Sequence, residues 1–174
     1  MRFLINLIPL LTLIIISTTT LAFANDSKIK VPDFTVTTID GDIISSSDAL
    51  GKQPIYLVFW ATWCPSCLRE IPNLKAINEK YGDEIVFVAI NVDRTHFWYN
   101  LTTSESKKPV QVYLQKHGIN YNVALDDDKR LSIVFNVKGT PTQILIDKQG
   151  YLHQYFHITP SNINSIIEKL INDK

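Results

Sequence analysis

"FWATWCPSCLREIP", residues 59–72, holds both cysteines of this 174-residue chain, Cys64 and Cys67, with two residues between them. That spacing allows three readings: a redox pair, half of a metal site, or a small structural staple. The flanks narrow the choice. Just upstream, "IYLVFWA", residues 55–61, is a continuous apolar run of strand length, rich in branched and aromatic residues, as in a central strand buried on both faces. Downstream, Leu68, Ile71, Leu74, Ile77 and Tyr81 recur at steps of three and four and predict an amphipathic helix that ends near Gly82 and is bent by Pro72. A second buried strand follows in "EIVFVAINV", residues 84–92. Strand, helix and strand of these lengths make a right-handed βαβ unit, with the cysteines at its first strand-to-helix turn.

Cysteines three apart at a helix start have Cα atoms roughly 5 to 6 Å apart, the span a disulfide requires, so the pair can be bonded or free without backbone movement. Unpaired N–H groups and the positive dipole end of the helix favour a thiolate at Cys64, pulling its pKa below the free value of about 8.5. The staple reading is weak, because so small a ring constrains little of the unfolded chain. A zinc site needs four ligands, and there is no second cysteine pair. His153 and His157 are four apart in an apparent strand, about 13 Å from one another.

Composition excludes some partners. With 45% hydrophobic and 20% charged residues the chain suits one soluble domain, and 17 basic against 17 acidic residues give no field for nucleic acid or an anionic membrane. Residues 1–24 read as a leader outside that domain: a positive start "MRF", an apolar stretch, and a small-x-small end at Ala22 and Ala24. Cleavage after Ala24 gives a soluble periplasmic protein, whereas an uncleaved helix would tether it. No cysteine follows the apolar run, which excludes acylation there. Residues 25–32 form a polar linker, and 33–174 the domain.

The remaining pattern fills out a mixed sheet. "FTVTTIDGDIIS" alternates around Asp40 and Gly41 and predicts a hairpin. After the βαβ unit, "DRTHFWYNLTTSESKKP", residues 93–109, is polar except for Phe97, Trp98 and Tyr99, which are expected either to fold back as a lid or to form a client-docking rim. "VQVYLQKHG" predicts a helix stopped at Gly118, "YNVALD" an added strand, "KRLSIVFNV" a short helix, and "TQILIDKQGYLHQYFHI" two strands turning at Gln149 and Gly150. The last helix is expected to start at Thr159 as N-cap with Pro160 in the first turn, and to bury Ile163, Ile166, Ile167, Leu170 and Ile171.

From about Pro32 to Ile171 the chain resembles exported thioredoxin-like thiol-disulfide oxidoreductases of the TlpA and ResA type, several of which keep apo-cytochrome c thiols reduced. The resemblance rests on "FWATWCPSCLREIPNL" and "GTPTQILID". It implies an α/β thioredoxin-like fold: a central mixed sheet flanked by helices, an N-terminal hairpin extension and an inserted segment after the βαβ unit. It further implies that Pro141 is cis and packs opposite the cysteines, that Thr140 pairs its backbone with an extended client, and that Trp63 lies on the substrate-binding surface. Thioredoxin's buried aspartate is replaced by Val58, and ResA-type proteins have a glutamate where this chain has Glu70, suited to take the proton of Cys67.

The resemblance therefore implies a Cys64–Cys67 redox disulfide with no other cofactor and no metal, thiol-bearing client proteins, a membrane thiol-disulfide carrier as electron donor, and a monomer, since there is no room for a dimerisation domain. Cys64 is expected to be the more exposed, attacking thiol. A peroxidase of the peroxiredoxin class would need threonine or serine where Ala61 stands, and a copper chaperone of the Sco type would need three residues between its cysteines rather than Pro65 and Ser66. Reducing client disulfides, rather than oxidising client thiols, is the direction the resemblance favours.

Overall fold

The computed structural model describes residues 28–93 and 107–173. Its centre is β3 (Ile55–Trp60), whose six residues are all buried. A strand apolar on every position is stable only with neighbours on both edges and cover on both faces. β3 pairs in parallel with β4 (Val86–Asn91) and antiparallel with β6 (Thr142–Ile146). β5 (Val123–Leu125) extends the sheet beyond β4, and β7 (Leu152–Phe156) extends it beyond β6, giving the order β5-β4-β3-β6-β7. β1 (Thr35–Thr37) and β2 (Ile43–Ser45) form the expected separate hairpin, with Gly41 at φ 105° in its turn, a conformation that favours glycine.

Among the described residues there are five helices: α1 (Ser46–Ala49), α2 (Pro65–Tyr81), α3 (Lys107–His117), α4 (Arg130–Val134) and α5 (Ile163–Asn172). Ring contacts assign them to faces. Tyr113 of α3 meets Trp60 at 5.4 Å, and α2 lines a small cavity with Val58 and Trp60, so both helices cover the face of β3 that carries its even-numbered residues. Phe135, which caps α4, meets Phe59 and Phe34 from the other face. α5 lies beside α2, where Glu168 bonds Tyr81 at 2.8 Å and Lys80 at 3.0 Å. The result is the thioredoxin-like layering expected from the sequence.

Three local expectations change. The buried row of α2 is Cys67, Glu70, Ile71, Leu74, Ile77 and Tyr81; Leu68 is 43% exposed, and a carboxylate lies in the stripe instead. Pro72 lies inside α2 and is exposed. α5 begins at Ile163 with Asn162 as N-cap, because Thr159 is engaged elsewhere. The end of the expected linker is paired: Lys30 bridges Tyr151, and Val31 N–H donates to the Gly150 carbonyl at 3.0 Å. The leader and Phe97, Trp98 and Tyr99 lie outside the described residues.

Core and surface isoleucines should separate accordingly. Ile90 is wholly buried in β4, so Ile90→Ala should cost about 2–5 kcal/mol in a urea unfolding curve. Ile133 is 74% exposed, and Ile133→Ala should stay within about 0.5 kcal/mol of the parent.

Candidate active site

α2 starts where β3 ends, so the first helical turn carries both cysteines at one end of the sheet. Cys64 is the N-cap, and Pro65, lacking an N–H, occupies a first-turn position where none is needed. Cys64 and Cys67 form a disulfide, with Cα atoms 5.3 Å apart. The Cys67 N–H donates to Cys64 Sγ at 3.1 Å, and the Ser66 hydroxyl lies 3.3 Å from the same sulfur. Both cysteines are 4% exposed. Exposure therefore does not distinguish the two thiols, contrary to expectation. What distinguishes them is the cap: Cys64 Sγ is the sulfur at which the helix N–H groups point.

The antiparallel register of β3 with β6 brings the downstream motif to the same place. Phe59 faces Thr142, so Pro141 falls just past the last pair, beside the cysteines. The Thr140–Pro141 bond is cis. Pro141 is buried, Thr140 half-buried, and Trp63 is 44% exposed. A cavity of about 10 Å³ is walled by Cys67, Glu70, Pro141, Val58, Trp60 and Tyr121, among others, enough for one water at most.

Glu70 is 6% exposed. Its Oε2 accepts the Thr159 N–H at 3.0 Å, the Thr159 hydroxyl at 2.6 Å and the Gln143 side-chain amide at 3.3 Å. Gln143 Oε1 in turn accepts the hydroxyl of Tyr56. Burial pushes the Tyr56 hydroxyl well above its ordinary pKa, the Thr159 bond opposes this, and the Glu70 charge adds to it. Tyr56 thus stays a donor, and the amide is oriented with its N–H toward the carboxylate. The sequence signal for Gln143 was a polar residue within the apolar strand "TQILI"; Thr159 was legible only as a helix cap.

A second carboxylate supports the turn ahead of the cysteines. Asp93, just past the end of β4, accepts the Thr62 N–H and the Thr62 hydroxyl, each at 2.8 Å, while its own N–H donates to Asn91 Oδ1 at 3.1 Å. Burial raises the Asp93 pKa above its ordinary value of 3.8, against the lowering effect of the bonds from Thr62 and Asn91. Nothing local in the sequence marked it.

A buried Cys-x-x-Cys disulfide at a helix start, facing a proline-led strand on a thioredoxin-like sheet, is the arrangement of a thioredoxin-like thiol-disulfide oxidoreductase. Residues 28–155 match the AhpC/TSA family, and the chain belongs to it. Its relatives include the thioredoxin-like protein YneN of Bacillus subtilis, 28% identical over 81% of this chain and 76% of that one. The thiol-disulfide oxidoreductase ResA of Bacillus anthracis is 30% identical over 74% of this chain and 70% of its own. Among solved structures, a thiol:disulfide interchange protein of the thioredoxin family from Chlorobium tepidum superposes with a TM-score of 0.67 at 25% identity, covering 83% of this chain and 97% of the other. The chain is accordingly a thiol-disulfide oxidoreductase, and thiol-bearing proteins are its clients.

Asp93→Asn keeps an acceptor for the Thr62 N–H and lets the hydroxyl turn to accept. A raised carboxyl pKa in the fold means that the native state holds its proton longer than the unfolded chain, so this group costs stability as pH rises. The variant should match the parent below about pH 3.8 and become increasingly more stable than it toward neutrality, read from thermal unfolding across pH. A constant offset at all pH values would contradict the account.

Proposed function

We propose that the chain is an exported reductase of client disulfides, with Cys64 as attacking thiol, Cys67 as resolving thiol and Glu70 as the group that takes the Cys67 proton. The observation that carries this reading is one small cavity shared by Cys67, Glu70 and Pro141. In the reduced protein the Cys64 sulfur, at the helix N-cap, is favoured as thiolate. It attacks a client disulfide, forming a mixed disulfide and releasing one client thiolate. Glu70, which lines the same small cavity as Cys67, accepts its proton. The Cys67 thiolate then attacks Cys64 Sγ, the second client thiol leaves, and the Cys64–Cys67 disulfide closes with two electrons passed to the client.

Thr140 and Pro141 form the backbone edge along which an extended client lies, with exposed Trp63 on the same rim. No cofactor besides the disulfide takes part. The apolar leader at residues 1–24 supports export to the periplasm, soluble once cleaved or tethered if not. There a membrane thiol-disulfide carrier returns the pair to its reduced form, the protein acts as a monomer, and cytochrome c apo-proteins with oxidised haem-binding cysteines are a fitting client class. Among the described residues no helix is long and apolar enough to cross a membrane.

Cys67→Ala should accumulate client proteins as mixed disulfides on non-reducing gels, and Cys64→Ala should not; equal trapping would overturn the assignment of roles. Glu70→Gln should slow resolution of the mixed disulfide by roughly 10- to 100-fold and change its pH profile in stopped-flow measurements. A variant profile that overlays the parent would reduce Glu70 to a packing residue.

A further inference from the structure

The β6–β7 ladder ends at the pair Gln143 and Phe156, so the carbonyl of Pro141 lies beyond the last strand hydrogen bond. A side chain takes over. His157, one residue past β7, places Nδ1 at 2.8 Å from that carbonyl oxygen. Carbonyls only accept, so Nδ1 carries the proton and Nε2 is left with its lone pair. The ring is held edge-on to Tyr155, at 5.7 Å and 86°, and Thr142 Oγ1 lies 3.4 Å from Nδ1. The backbone of the same residue reaches the other half of the site: the His157 carbonyl accepts from Gln143 Nε2 at 3.4 Å, the amide that also donates to Glu70.

We infer that His157 is a positioning residue for client recognition: its Nδ1–H tethers the Pro141 carbonyl and so presets the backbone at Thr140 and Pro141 on which an extended polypeptide docks. The inference rests on the proposed role of that edge. A loop segment whose carbonyl is already anchored has less freedom to lose when a client pairs with it, so the tether favours polypeptide disulfides over small ones. His157 itself is solvent-exposed, and its replacement opens no core cavity.

The test compares the parent with His157→Leu, which removes the donor, and His157→Asn, whose side-chain nitrogen occupies the place of Nδ1. Steady-state reduction is measured with two probes: a synthetic peptide carrying an oxidised Cys-x-x-Cys-His segment, and hydroxyethyl disulfide. The ratio of kcat/KM for peptide over small disulfide should fall about fivefold in His157→Leu, mainly through KM, as expected for one lost hydrogen bond, and return to within about twofold in His157→Asn. An unchanged ratio in the leucine variant, or an asparagine variant as impaired as leucine, overturns the inference. Ring nitrogen shifts in NMR spectra provide a readout independent of turnover: the Nδ1–H tautomer supports the tether and the Nε2–H tautomer refutes it. If the parent reduces neither disulfide, the reductase reading fails, and the tautomer then decides the His157 contact alone.

Discussion

Five residue pairs between β3 and β6, from Ile55 with Ile146 to Phe59 with Thr142, determine where the chemistry takes place. β3 delivers the cysteines at its carboxyl end, and an antiparallel partner in this register must enter at that same end. Pro141 therefore meets Cys67 across the cavity although the two are far apart in sequence. A slip of one residue would turn Gln143 to the opposite face of the sheet and leave Glu70 without its amide partner. The apolar sides of both strands resist such a slip, since every residue of β3 and β6 is buried.

Within that frame the expensive component is a carboxylate in the apolar stripe of α2. An isolated buried charge would be driven to neutralise, yet Glu70 Oε2 collects three donors from two other segments of the chain. Hydrogen bonds to a charged group contribute about 1.5–3 kcal/mol each, which is the right scale to offset much of the desolvation. The same bonds keep the carboxylate turned toward the cavity that Cys67 lines. The donors that make burial tolerable also fix the position of the carboxylate proposed to take the Cys67 proton, and Gln143 links this group through the His157 carbonyl to the segment at Pro141.

Much of this was legible from local pattern. The run at 55–61, the helical spacing after it, the Asp40–Gly41 turn and the return near Gly150 each reflect constraints acting within a few residues, and the elements formed where those constraints placed them. The misreadings share another cause. Helical spacing alone puts Leu68 in the buried stripe of α2, because local hydrophobicity is the only signal for the phase of a helix. The phase was shifted by polar partners 73 and 89 residues downstream, which no local pattern displays. Thr159 has a side chain suited to capping, but the same hydroxyl serves Glu70, and tertiary demand prevailed over the local role. Asp93 and His157 are defined by a loop end and a strand end that meet the site only in three dimensions.

The proposed direction of electron flow makes this protein a reductant. Equilibrating the protein with dithiothreitol or glutathione couples of known ratio, and following the Cys64–Cys67 thiols by alkylation, measures its reduction potential directly. A reductant of client disulfides should have a value near that of thioredoxin, about −270 mV, low enough to pass electrons to them. A potential near −120 mV, that of a strong oxidant whose reduced form is the stabilised one, would contradict it.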